Sequence, residues 1–140
     1  MQRCLKIGVS MSEIGKKFSR QREMIYEQVV NNPVHPTADE VYTALKKDCP
    51  SLSLGTVYRN LNLLSDMGML MKIHVGGDKD RFDGRTDAHC HFFCEKCGRV
   101  FDVEDESVCG IEKRVLANDG HTVTGIGINL RGVCRECSNN

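Results

Sequence analysis

Apolar residues in the first half of the chain recur at three- and four-residue steps, the spacing of one helix face. Met24, Ile25, Gln28 and Val29 predict a first helix over residues 20–31, with Ser19 as its N-cap and Asn31-Asn32-Pro33 as its stop. Thr37 and Glu40 have the spacing of a capping box and open a second helix that runs to about Lys47. Val41, Tyr42 and Leu45 are its inward stripe, and Cys49-Pro50 breaks it. Ser53 caps a third helix over residues 54–67, with Leu54, Val57, Tyr58, Leu61, Leu64 and Met67 facing inward. Gly68 suits the position just past its end. Residues 69–75 and 81–83 read as two strands of a hairpin about Gly76-Gly77-Asp78.

Three helices followed by a hairpin is the winged helix-turn-helix pattern, in which the third helix enters the major groove. Thr56, Arg59 and Asn60 lie among the polar residues of that helix and are candidates for the DNA-reading face. The blander reading is a face that is merely solvated.

The second half changes period. The stretch from His89 reads as a strand that ends at the Cys94-x-x-Cys97 knuckle, so alternation turns His89 and His91 to one face and Cys90 and Cys94 to the other. The two histidines can therefore share a metal. Arg99–Val103 reads as a second strand. Residues 107–118 read as a helix with Val108, Ile111, Val115 and Leu116 inward, ended by Gly120. Residues 121–133 alternate loosely as a third strand, with Val123, Ile126, Ile128 and Leu130 apolar. A small sheet with one helix cannot bury both of its faces, so a second copy of the chain is expected to cover it as a homodimer. The fold class is α+β: an N-terminal winged-helix domain, then a small α/β dimerisation domain. The expected division is an extension at 1–17, a DNA-binding domain at 18–83, a hinge at 84–88 and a metal-binding dimerisation domain at 89–140.

Charge and cysteine usage sharpen this picture. The formal net charge is zero, but residues 1–75 carry ten Lys and Arg against seven Asp and Glu, and residues 76–140 carry nine against twelve. A basic front half and an acidic rear half suit a nucleic-acid reader joined to a metal-binding module. No apolar run approaches the roughly 20 residues that span a bilayer, and no signal peptide opens the chain, so a cytoplasmic location is expected. In a reducing compartment, paired C-x-x-C motifs point to metal more often than to disulfides. Cys94-x-x-Cys97 and Cys134-x-x-Cys137 are the usual ligand set of a tetrahedral structural zinc site. Cys4, Cys49, Cys90 and Cys109 have no such partners and read as packing residues or free thiols.

His35-Pro-Thr-Ala-Asp, Thr56-Val-Tyr-Arg-Asn-Leu, Arg81-Phe-Asp83, His89-x-His91-x-x-Cys94-x-x-Cys97-Gly and Cys134-x-x-Cys137 occur in this order. This series resembles the ferric uptake regulator (Fur) family over about residues 18–138, and most of all its peroxide-sensing repressor (PerR) branch. The resemblance implies a metal-dependent dimeric repressor that binds a palindromic double-stranded operator. It implies a regulatory Fe²⁺ or Mn²⁺ held by His35, Asp83, His89, His91 and Asp102, beside a structural Zn²⁺. It also implies that His35 and His89 are the ligands oxidised when hydrogen peroxide meets bound iron, and that Tyr58 contacts DNA. Asp102 and Ile126 lean toward the peroxide-sensing branch, because the iron-sensing branch commonly has Glu and His there. Arg59 leans toward the alternative, an iron- or manganese-responsive uptake regulator. A zinc-uptake regulator fits the carboxylate-rich set less well. A thiol-dependent reductase on a Cys₄ scaffold would need a free nucleophilic cysteine beside a base. Strand alternation turns Cys90 away from its flanking histidines, so no enzyme is expected.

Overall fold

The computed structural model describes residues 20–74, 78–87, 89–124 and 126–139. The expected extension, the Ser19 cap, the Gly76-Gly77 turn, Cys4 and the Cys109 side chain lie outside that description.

Helices α1 (Arg20–Val30), α2 (Ala38–Leu45) and α3 (Leu54–Asp66) precede an antiparallel hairpin of β1 (Met71–Ile73) and β2 (Arg81–Asp83). Ile25, Val29, Val41, Leu45, Val57, Leu61, Leu64 and Phe82 form one buried core beneath them. Each boundary has a local cause. Thr37 and Glu40 form the reciprocal capping box, and Ser53 caps α3 through the Thr56 amide. Gly68 sits at φ 74°, a left-handed conformation that costs glycine little.

The core face of α3 departs from expectation at three positions. Tyr58 and Met67 are each 39% exposed, so the stripe is narrower than predicted. Asn60, expected on the DNA-reading face, is only 8% exposed. Its Nδ2 donates to the Thr56 carbonyl and its Oδ1 accepts from Arg22 Nε at 2.7 Å. Asn60 therefore joins α3 to α1.

After the link come β3 (Cys90–Cys94), β4 (Val100–Val103), α4 (Glu106–Cys109), α5 (Ile111–Asp119), β5 (Asn129–Gly132) and α6 (Arg135–Ser138). The sheet order is β4-β3-β5, antiparallel on one side of β3 and parallel on the other. The single helix expected over 107–118 is two, with Gly110 between them. Of its expected inward face, Ile111 and Leu116 are exposed, at 39% and 55%, and Val108 and Val115 are half-buried. The long third strand is only β5, because β3 offers five residues and pairing begins at His91↔Asn129. No helix among the described residues is long and apolar enough to cross a membrane.

A second buried cluster joins the two halves. Ile73 from β1 and Val100 from β4 pack together, with Met71 and Phe93 against them. The hairpin thus rests directly on the three-stranded sheet.

Gly84, the first residue of the link, passes against the end of α1. A Cβ there would lie 2.6 Å from Val30 Cγ1 and 2.8 Å from Val30 Cα. Backbone at that distance must move, so Gly84→Ala is expected to destabilise the protein by about 1–3 kcal/mol. Urea denaturation checks this; an unchanged midpoint would contradict the packing described.

Candidate metal centres

Two groups of metal-ligand side chains converge. The first is Cys94, Cys97, Cys134 and Cys137, whose sulfurs all lie within 4.8 Å of one another. The parallel register of β3 and β5 makes this possible. It sets Cys94 opposite Gly132, so that Cys134 comes next at the same end of the sheet. The Glu95 amide donates to the Gly132 carbonyl at 2.8 Å and locks that end. Gly98, at φ 73°, turns the chain so that its amide reaches the Cys94 carbonyl at 2.8 Å.

The four thiols are electrostatically unequal. Backbone amides of Cys134 and Cys97 donate to Cys94 Sγ and hold its thiol down to about 6 against the opposing effect of burial. The Arg99 guanidinium lowers Cys97. The Cys134 side chain and burial push Cys137 up to about 12. Four thiolates cannot all ionise in this space without a compensating cation. A closed sulfur tetrad of this kind fits zinc, which needs no open position in a structural role.

The second group is mixed. Ligand atoms of His35, Asp83, His91 and Asp102 lie within 4.8 Å of one another. His89 joins them, its Nε2 being 2.7 Å from Asp83 Oδ2 and 3.0 Å from Asp102 Oδ1. His91 Nε2 is 3.2 Å from Asp83 Oδ2, and His35 Nε2 is 2.7 Å from Asp102 Oδ1. His35, Asp83 and His91 are buried, whereas the Asp102 side chain is 26% exposed and forms the open edge.

Each residue is delivered by a distinct element. His35 precedes the α2 cap and holds φ 52°, an uncommon conformation for a residue with a Cβ. Arg81 Nη1 fixes its carbonyl at 2.9 Å and also reaches Glu40 of the capping box. Asp83 ends β2. Its Oδ1 accepts from the Arg85 amide at 2.8 Å, which leaves Oδ2 for the histidines. His91 and Asp102 are paired residues on β3 and β4. His89 Nδ1 lies 2.7 Å from the Asp87 carbonyl and donates to it, so Nε2 is the atom turned to the site.

The charges support one another. Burial opposes ionisation of Asp83, but hydrogen bonds from His89 and His91 outweigh it and hold the carboxyl at about 2. Asp102 is lowered likewise, against burial, by His35 and His89. Burial disfavours the His89 cation, yet the two carboxylates raise it to about 10. His35 Nδ1 is buried and makes no hydrogen bond, its nearest carboxylate oxygen being Asp83 Oδ1 at 3.5 Å. Three imidazoles, two carboxylates and an unsatisfied buried nitrogen fit a divalent metal that takes nitrogen and oxygen together.

The exposed side of α3 carries Tyr58 and Arg59, with Thr56 half-buried at its edge. Arg59 Nη2 rests on Thr56 Oγ1 at 3.3 Å. Tyr58 Oη donates to Asp39 Oδ2 at 3.0 Å, and Lys79 Nζ, from beyond β1, meets the same oxygen at 2.8 Å. The role of Arg81 carries no periodic signal, because its partners, the His35 carbonyl and Glu40, are brought near only by folding. The short helix α6 carries little signal either, although the second C-x-x-C knuckle lies on it.

Comparison with known proteins agrees with this architecture. Residues 13–131 match the ferric uptake regulator family. The peroxide-responsive repressor PerR of Staphylococcus aureus is 34% identical over 128 residues, covering 91% of this chain and 86% of that protein. A solved structure of the Campylobacter jejuni peroxide stress regulator is 31% identical with a TM-score of 0.70, over 84% of this chain and 88% of that one. The Vibrio cholerae ferric uptake regulator is also 31% identical at a TM-score of 0.70, over 84% and 92% respectively. The family match spans most of the chain, both ligand groups sit in one matching fold, and the chain belongs to the ferric uptake regulator family.

Proposed function

We propose that this protein is a metal-dependent DNA-binding repressor that senses hydrogen peroxide through its histidine–aspartate centre. Membership of the family supports the coarser part, a repressor of the Fur/PerR type. The observation that carries the finer part is the convergence of five ligands from both sides of the link. His35 and Asp83 come from the helical half, and His89, His91 and Asp102 from the rear half. On this reading the DNA-binding domain is 18–83, the hinge 84–88 and the dimerisation domain 89–140.

Cys94, Cys97, Cys134 and Cys137 would hold zinc permanently. The five His and Asp ligands would hold Fe²⁺ or Mn²⁺, selected by ligand number and cellular supply rather than by raw affinity, which favours zinc. When iron is bound it supplies the electrons that turn peroxide into an oxidant, whereas manganese does not readily do so. The chain's own residues then decide whether the signal reaches DNA. His35 and His89 are the oxidation-sensitive ligands, and an oxidised imidazole offers a poorer lone pair. Losing either would untie the hinge that the centre closes, and DNA would be released.

DNA would be read by α3 through Thr56, Tyr58 and Arg59, without Asn60. In a homodimer two such helices would enter successive major grooves about 34 Å apart on a palindromic operator. Ile111, Leu116, Val123 and Leu130 are exposed and apolar, the kind of surface a second copy would cover. Exposed Arg59 favours a second reading, an iron- or manganese-responsive uptake regulator without the oxidation step.

Operator binding by the Fe²⁺ and Mn²⁺ forms, before and after stoichiometric peroxide, separates the two readings. The peroxide sensor loses binding only with iron, and peptides containing His35 or His89 gain the mass of one oxygen. Retained binding with unmodified peptides would instead favour the uptake regulator.

The centre also predicts a pH dependence. His89 is raised to about 10, so at neutral pH a metal must displace its Nε2 proton. Mn²⁺ affinity is expected to rise about tenfold per pH unit between roughly pH 6.5 and 8 from this proton alone. Calorimetry in buffers of different ionisation enthalpy would register the released proton. The same slope in His89→Ala would contradict the assignment.

A further inference from the structure

The four sulfurs of the cysteine cluster are not equally protected. Cys94 is fully buried, and its Sγ accepts from the amides of Cys97 and Cys134 at 3.4 and 3.3 Å. Cys134 is also buried, whereas Cys97 is exposed. The side-chain donor on Cys97 Sγ is Arg99 Nε, at 3.3 Å. The same guanidinium reaches toward Cys134 Sγ with Nη2, at 3.9 Å. Arg99 therefore touches one sulfur from each C-x-x-C knuckle.

Two neighbours hold it there. Nη2 donates to Glu136 Oε2, on the α6 segment between Cys134 and Cys137. The guanidinium carbon lies 5.4 Å from the centroid of the Phe101 ring on β4. An anchored guanidinium differs from a mobile surface arginine, because little rotamer freedom is left to lose on bonding sulfur. A zinc ion bound by four thiolates keeps a net charge of −2, concentrated on sulfur. A charge-assisted hydrogen bond draws electron density from its acceptor and weakens that sulfur as a nucleophile.

We infer that Arg99, anchored by Glu136 and Phe101, is a positioning residue that shields Cys97 and sets how fast electrophiles attack the cysteine cluster. At the exposed sulfur its guanidinium adds to the Arg99 backbone amide, where buried Cys94 is bonded by two backbone amides. The inference rests on the zinc reading of the cluster and adds a residue that ligates nothing.

Iodoacetamide tests this on the full-length zinc-loaded dimer. Sulfur attacks the methylene carbon, an S–C bond forms, iodide leaves, and zinc loses a ligand. Peptide mass spectrometry gives the alkylation rate of each cysteine, and a metal-binding dye reports zinc release. Arg99→Met keeps the stem against Phe101 and removes the donor. Cys97 alkylation is expected to quicken about tenfold, with Cys94 changing less than twofold. Arg99→Lys should fall between the two, and Glu136→Gln should give a smaller rise at Cys97 by freeing the anchor. An unchanged Cys97 rate in Arg99→Met would overturn the inference. So would equal acceleration of all four cysteines, since that reports general loosening. Failure of the native protein to carry zinc at all would overturn the zinc reading instead.

Discussion

Asp83, buried, and Asp102, partly exposed, bring two carboxylates together, and the rest of the structure depends on how that charge is met. A buried carboxylate costs several kcal/mol unless it is paired and hydrogen-bonded. Here the pairing groups are His35, His89 and His91, which come from both halves of the chain. The two shortest pairings cross the link, His35 Nε2 to Asp102 and His89 Nε2 to Asp83, both at 2.7 Å, so the carboxylates are best met when the halves are together. The Ile73–Val100 contact is the apolar counterpart of the same closure.

Protons and a metal are alternative answers to this charge. Without metal, His89 holds its proton against both carboxylates. A divalent cation would use the same lone pairs and bind only the closed arrangement well. That is the differential affinity a ligand needs to shift an equilibrium between states. The surroundings prepare the site for it. Asp87 fixes the His89 tautomer, the Arg85 amide occupies one oxygen of Asp83, and Arg81 holds His35 in its uncommon backbone conformation. The cysteine cluster has a different task. It ties the end of β3 to the segment after β5 and so keeps the sheet carrying His91 and Asp102 in register.

Local signals are the legible ones in this sequence. The capping box at Thr37 and Glu40, the Ser53 cap and Gly68 arise from short-range chemistry, and the fold contains all three. The two C-x-x-C pairs are legible too, because each carries its spacing within four residues. Features that depend on folding are harder to read. Asn60 stands three residues after Val57 and four before Leu64, squarely in the apolar stripe. Its polarity suggests an outward role, and its partner Arg22 is remote in sequence. Tyr58 looks apolar enough to bury, but its hydroxyl bonds Asp39 at the surface. The loose alternation over 121–133 suggests a long strand, yet strand length is decided by the partner, and β3 is short. Period-two alternation pairs His89 with His91 but cannot reach His35, Asp83 or Asp102, since the set is spread from residue 35 to residue 102. Only the resemblance to a family assembles it from the sequence.

A cation at this centre is expected to lock the two halves together. Small-angle X-ray scattering of the zinc-loaded protein, with Mn²⁺ titrated in and Asp83→Asn as the comparison, measures this. A smaller radius of gyration is expected on adding Mn²⁺, saturating with occupancy and absent in Asp83→Asn. Superposable scattering with and without bound Mn²⁺, or an equal contraction in Asp83→Asn, would contradict it.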